Sequence, residues 1–173
     1  MQNLQNTYLN ASRRDLVSKV KYYNNMNDIG HVKSLTFNFS DLKNKESCLL
    51  GLSFFYFLMN KKGIVGVNSK GFFKRRLNCS LKLNKKYSIL FLERFLNLNL
   101  KKNLDFRNGF NLNFSNSATF SFTIKDVYIF SELGDDIFKY RDLKNLNISI
   151  TFNNNDKNIN KNLLQSLGFV FKN

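Results

Sequence analysis

With 173 residues the chain can bury one substantial core, hiding roughly 70% of the surface that its unfolded form exposes. Its 27 Lys and Arg against 12 Asp and Glu leave a net charge of +15, a field that favours polyanionic partners and opposes self-association. Two cysteines and a single histidine exclude a structural zinc site, which needs four clustered thiolate or imidazole ligands.

In chain order, residues 2–23 read as a basic helix with Leu4, Tyr8, Leu16, Val20 and Tyr23 available to one stripe. Its cations Arg13, Arg14, Lys19 and Lys21 give it the look of an amphipathic transit peptide, but a helix of the mature domain is the preferred reading. "SLTFNF", 34–39, alternates Leu35, Phe37 and Phe39 with Ser34, Thr36 and Asn38, the pattern of a half-buried strand. A buried helix is expected from about 42 to 60 around the run "CLLGLSFFYFLM", whose twelve residues fall short of the roughly 20 that a membrane-spanning helix needs.

"GIVGV", 63–67, reads as a short strand leading into a basic loop with Lys70, Lys74, Arg75 and Arg76. "LNCSLKL", 77–83, then alternates Leu77, Cys79, Leu81 and Leu83 with Asn78, Ser80 and Lys82, a strand with one polar face. A helix is expected over 85–100, and strands over 117–125 and 145–152. Asp156 is placed to cap a last helix over 157–167 that stops at Gly168. Cys48 and Cys79, far apart in the chain, are expected to be small reduced core residues, and His31 is not read as a ligand or catalyst.

Strand pairs beside helices, each strand with one polar face, predict an α+β fold. It is expected to be a single domain over 1–173, with the basic helix 2–23 and a core over 31–173. The helices would cover one face of a mainly antiparallel sheet and leave the polar face open.

Composition qualifies how single residues are weighed. The chain holds 28 Asn and 19 Phe with no Pro or Trp, as codons dominated by A and T dictate, and this points to an organellar gene. Individual Asn and Lys residues therefore count for little. The charge distribution counts for more, because between Glu46 and Glu93 there is no acid at all while nine bases occur. From Lys125 to the end, seven bases nearly cancel six acids. A basic segment beside a sheet presenting Ser, Thr and Asn is suited to RNA, with cations for phosphates and amides or hydroxyls for sugars and base edges. The candidate RNA-binding residues are Arg13, Arg14, Lys19, Lys21, Lys33, Thr36 and Lys82, beside the basic loop.

An enzyme fits poorly. The run 48–59 superficially resembles the leucine-glycine helix of homing endonucleases, but it ends in Met59 and Asn60 where those nucleases need a metal-holding acid. Asp135 and Asp136 are the only adjacent carboxylates, and no Cys-His or Ser-His-Asp arrangement supplies a nucleophile and base. No cofactor is expected. The competing readings are another basic RNA-binding module of an organelle, such as an intron-splicing or nuclease-like protein, and a membrane-surface or protein-interaction module.

Residues 78–110, "NCSLKLNKKYSILFLERFLNLNLKKNLDFRNGF", resemble a segment of the ribosomal protein L-five family. The likeness lies in Cys79, Leu81, Leu83, Glu93, Arg94, Asp105, Phe106 and Arg107. "IKDVYIFSEL", 124–133, is similar to the family's acidic Ile-Phe-Pro-Glu-Ile segment, with Ser131 at the proline. The C-terminus resembles the family's last strand and helix through Leu146, Ile148, Ile150, Thr151, Leu163, Leu164, Phe169 and Phe171; near the start, Tyr23, Asn24, Val32 and Asn38 are similar.

The resemblance implies a structural protein of the large ribosomal subunit, here of mitochondria: encoded by the organellar genome and sited in the matrix. It would sit in the central protuberance and bind 5S rRNA, or other large-subunit rRNA where a 5S species is lacking. Neighbouring large-subunit proteins, a small-subunit protein at an intersubunit bridge and P-site tRNA are the further partners implied. Tyr23, Asn24 and Asn38 would lie on the rRNA-facing side, and Lys74 and Arg76 match the family's Phe-Lys-x-Arg in the tRNA-facing loop. Two departures stand out. Only Leu77 and Asn78 separate Arg76 from Cys79, so that loop is shorter, and "FNLNFSNSATF", 110–120, replaces a glycine-rich segment.

Overall fold

The computed structural model describes residues 30–42, 44–69, 75–99 and 109–172. The expected α+β class is found. β1 (Val32–Leu42), β2 (Ile64–Ser69), β3 (Arg75–Asn84), β4 (Phe114–Asn116), β5 (Thr119–Asp126) and β6 (Lys144–Phe152) form one antiparallel sheet in the order β2-β3-β1-β6-β5-β4. The helices are α1 (Lys45–Met59), α2 (Lys85–Arg94) and α3 (Lys157–Ser166), with 3-10 turns at Val127–Ile129 and Ser131–Tyr140.

Contacts group the chain into two compact units, neither of them a continuous stretch. One comprises residues 36–82 and 122–149. Its core forms because alternation drives Phe37, Phe39, Cys79, Leu81, Phe122, Ile124, Leu146 and Ile148 to one side of their strands, where all are buried. α1 lies on that side. Phe54 is its centre, with ring centroids 5.4 Å from Phe39, 5.6 Å from Phe130 and 5.5 Å from Tyr140, all edge-on. Ser47 Oγ accepts from the Asn44 N–H at 3.3 Å and donates to the Asn44 carbonyl at 2.7 Å, which fixes the start of α1. Asn60, with φ 51°, ends it in the left-handed conformation.

β2 and β3 pair in antiparallel register from Ile64↔Ser80 to Ser69↔Arg75. The strand thus begins earlier than expected: Arg75 and Arg76, read from sequence as loop residues, are its first two positions. The polar alternation that marks a strand starts only after them. The Asp135-Asp136 pair, expected in a loop, lies in the 3-10 segment Ser131–Tyr140, which bends at Gly134 with φ 53° and ψ −135°.

The other unit comprises residues 1–35, 83–121 and 150–173. Phe120 is fully buried, with ring centroids 6.4 Å from Phe110, 6.2 Å from Phe169 and 5.6 Å from Phe171. The backbone of Phe110 is tied to the C-terminal segment, donating to Val170 O at 2.7 Å and accepting from the Lys172 N–H at 3.0 Å. Ser88, buried in α2, donates to the carbonyls of Leu83 and Asn84. The helix expected to continue to 100 widens into a π-helical segment at Phe95–Asn99. The final helix is as expected: the Asp156 carboxylate accepts from the Asn158 N–H at 2.9 Å, and Gly168 follows with φ 104°. Asn160, fully buried, donates from Nδ2 to Ser117 O at 3.0 Å and to Asn154 O at 2.8 Å, so one amide holds two connecting turns.

Candidate nucleic-acid interface

The same alternation that buries one row of side chains in the 36–82 and 122–149 unit leaves a second row on the opposite side. β1 contributes Thr36, Asn38 and Ser40, β3 contributes Asn78, Ser80 and Lys82, β5 contributes Thr123 and Lys125, and β6 contributes Asn147 and Ser149. Lys82, Thr123 and Lys125 are exposed and the others are half-buried. These short side chains make a shallow surface, with a cation on each of two strands and no acid in the row. Thr123 Oγ1 donates to Asn147 Oδ1 at 2.6 Å. The Oδ1 atoms of Asn38 and Asn78 are buried acceptors without a donor.

The lysines of this face differ from the cations of a neighbouring segment. In the segment 131–142, Lys139 Nζ is bonded to the carboxylate of Asp136 and Arg141 lies 4.0 Å from Asp142. The Asp136 hydrogen bond also raises the Lys139 pKa above its ordinary value. Cations there are matched by acids, whereas Lys82 and Lys125 stand among neutral groups.

Among the residues named from sequence, Thr36, Asn38 and Lys82 fall on this face. Lys33 is exposed, but by alternation it shares the side of Leu35 and Phe37 and does not join the row. Arg13, Arg14, Lys19, Lys21, Tyr23, Asn24, Lys70 and Lys74 lie outside the described residues, and Arg75 and Arg76 enter only through the backbone of β3. Asn78 and Ser80 were read from sequence as the polar face of their strand but not as candidate RNA contacts, and Thr123, Lys125, Asn147 and Ser149 were not singled out. The signal was present in the even spacing of polar residues along "SFTIK" and "LNISI", beside strands already recognised.

Among the described residues, no group of three or more His, Cys, Asp or Glu is placed to hold a metal, and no helix is long and apolar enough to cross a membrane. An open cavity of about 590 Å³ touches Ser40, Asn44, Glu46, Asp142 and Lys144. Cys48 and Cys79 are buried as expected, yet 31 positions of separation do not keep them apart: their sulfurs lie 2.8 Å from one another.

Comparison with known proteins agrees with this architecture. The chain is 27% identical over 113 residues to the large ribosomal subunit protein uL5 of Dichelobacter nodosus (strain VCS1703A), a match that covers 65% of this chain and 61% of the relative. Residues 76–171, more than half of the chain, match the C-terminus of the ribosomal protein L-five family. The chain belongs to the ribosomal protein L-five family.

Proposed function

We propose that this protein is a structural constituent of the large ribosomal subunit that binds rRNA and has no catalytic role. The observation that carries the reading is the acid-free polar row of β1, β3, β5 and β6, with Lys82 and Lys125 exposed among hydroxyls and amides. Lysines neutralise phosphates and fix position, while Asn38, Asn78 and the hydroxyls meet sugars and base edges. Membership of a ribosomal family supports the assignment.

The finer reading places the protein in the mitochondrial ribosome, at the central protuberance, against 5S rRNA or the large-subunit rRNA that substitutes for it. The codon signature supports an organellar gene. The basic stretch with Lys70, Lys74, Arg75 and Arg76 approaches P-site tRNA, shortened as it is, and neighbouring subunit proteins complete the surroundings. Sedimenting organellar ribosomes in high salt tests both levels. The protein is expected in the large-subunit fraction, and recovery at the top of the gradient would overturn the assignment.

A further inference from the structure

The face of α1 turned toward β3 carries Cys48, and β3 answers with Cys79. Gly51 packs on the same strand residue: a Cβ there would stand 3.4 Å from both Cβ and Sγ of Cys79, ordinary van der Waals contact. The two sulfurs are 2.8 Å apart, and Cys79 Sγ also donates to the Cys48 carbonyl at 3.2 Å. Both residues are free thiols. A disulfide bond is about 2.05 Å long, so closure needs a movement of less than about 1 Å. Nothing in the RNA-binding reading uses this pair.

We propose that Cys48 and Cys79 are an oxidative modification site, converted by a peroxide into an intramolecular disulfide that staples α1 to β3. Cys48, 5% exposed against 0% for Cys79, is the sulfur an oxidant reaches first. Burial, with the Cys48 hydrogen bond and charge adding to it, pushes the Cys79 thiol up to about 12, which disfavours Cys79 as the sulfur that attacks first; its place 2.8 Å from Cys48 makes it the resolving partner. In the first step Cys48 sulfur attacks a peroxide oxygen, the O–O bond breaks, and a sulfenic acid and one water form. Cys79 sulfur then attacks the Cys48 sulfur and displaces hydroxide, which leaves as a second water with the Cys79 proton. The two sulfurs lose two electrons and hydrogen peroxide gains them. The ring so closed contains β2 and the basic stretch that follows it.

The test uses the full chain treated with hydrogen peroxide, quenched, then alkylated in denaturant and digested. The expected product is a peptide pair joining Cys48 to Cys79, about 2 Da lighter than the sum of the two thiol peptides and separated by dithiothreitol. Neither cysteine should take up alkylating reagent. The thermal midpoint should rise by roughly 5 °C or more before reduction and return after it. In Cys79→Ser, with no resolving thiol, oxidation should stop at Cys48 sulfenic or sulfinic acid and give no rise. Alkylation of both cysteines in the treated natural chain, overoxidation of Cys48 with Cys79 left free, or a disulfide between two copies would each overturn the proposal.

Discussion

Asn78 reaches across to the one strand position opposite it that has no side chain. It pairs in register with Gly66, and a Cβ at Gly66 would stand 2.5 Å from Asn78 Oδ1. The carboxamide is the free end of a flexible side chain, so Gly66→Ala should turn it aside rather than break the hairpin. Stability should change by no more than ~1 kcal/mol, while rRNA affinity falls as it does in Asn78→Ala. Urea unfolding and RNA titration at one fixed salt concentration read the two effects separately.

Gly109 is the contrasting glycine. Its φ is 83°, and an added Cβ would lie 2.9 Å from the Phe171 carbonyl carbon, which is backbone and cannot rotate away. Gly109→Ala should therefore cost at least ~2 kcal/mol, seen as a lower urea midpoint with little change in slope.

The aromatic centre beneath α1 should be the most sensitive to truncation. Phe54→Ala removes edge-on contacts to Phe39, Phe130 and Tyr140 and leaves a fully enclosed void. A loss of about 3–5 kcal/mol is expected by chemical denaturation.

Asp156→Ala deletes the bond to the Asn158 N–H and should lower stability by about 1 kcal/mol. Asp156→Ser should restore most of it, since a hydroxyl caps the same amide.

Lys82→Ala and Lys125→Ala test the proposed interface. Each should weaken rRNA binding without much dependence on sequence, and should reduce the slope of log affinity against log salt by about 1. The same substitution at Lys139, bonded to Asp136, should leave that slope unchanged. Equal slopes in all three variants would locate the RNA elsewhere.

The elements that could be read from the sequence are those written by local rules. Cys79-Leu81-Leu83 and Leu146-Ile148-Ile150 announce their strands because a pleated backbone turns alternate residues to one side, and Asp156 with Gly168 brackets α3 because caps act within one helical turn. Features that depend on distant partners could not be read so. Arg75 and Arg76 belong to a strand because Ser69 and Asn68 pair with them, and the sulfurs of Cys48 and Cys79 meet because a helix settles over a strand 31 positions away. At the candidate site the individual rows were visible, but that β1, β3, β5 and β6 supply one surface depends on strand order, which short-range patterns do not encode.

Codons dominated by A and T write asparagines freely, and the chain holds 28. Asn160 is a different kind of letter. One nucleotide change turns an Asn codon into a Lys codon, and both belong to the A-rich codons that such a composition favours. At this position that step would bury an ammonium group and strip two turns of the amide that holds them. Mutational pressure and folding therefore pull against each other at Asn160, and a survey of natural variants should find it kept where neighbouring exposed asparagines such as Asn158 come and go.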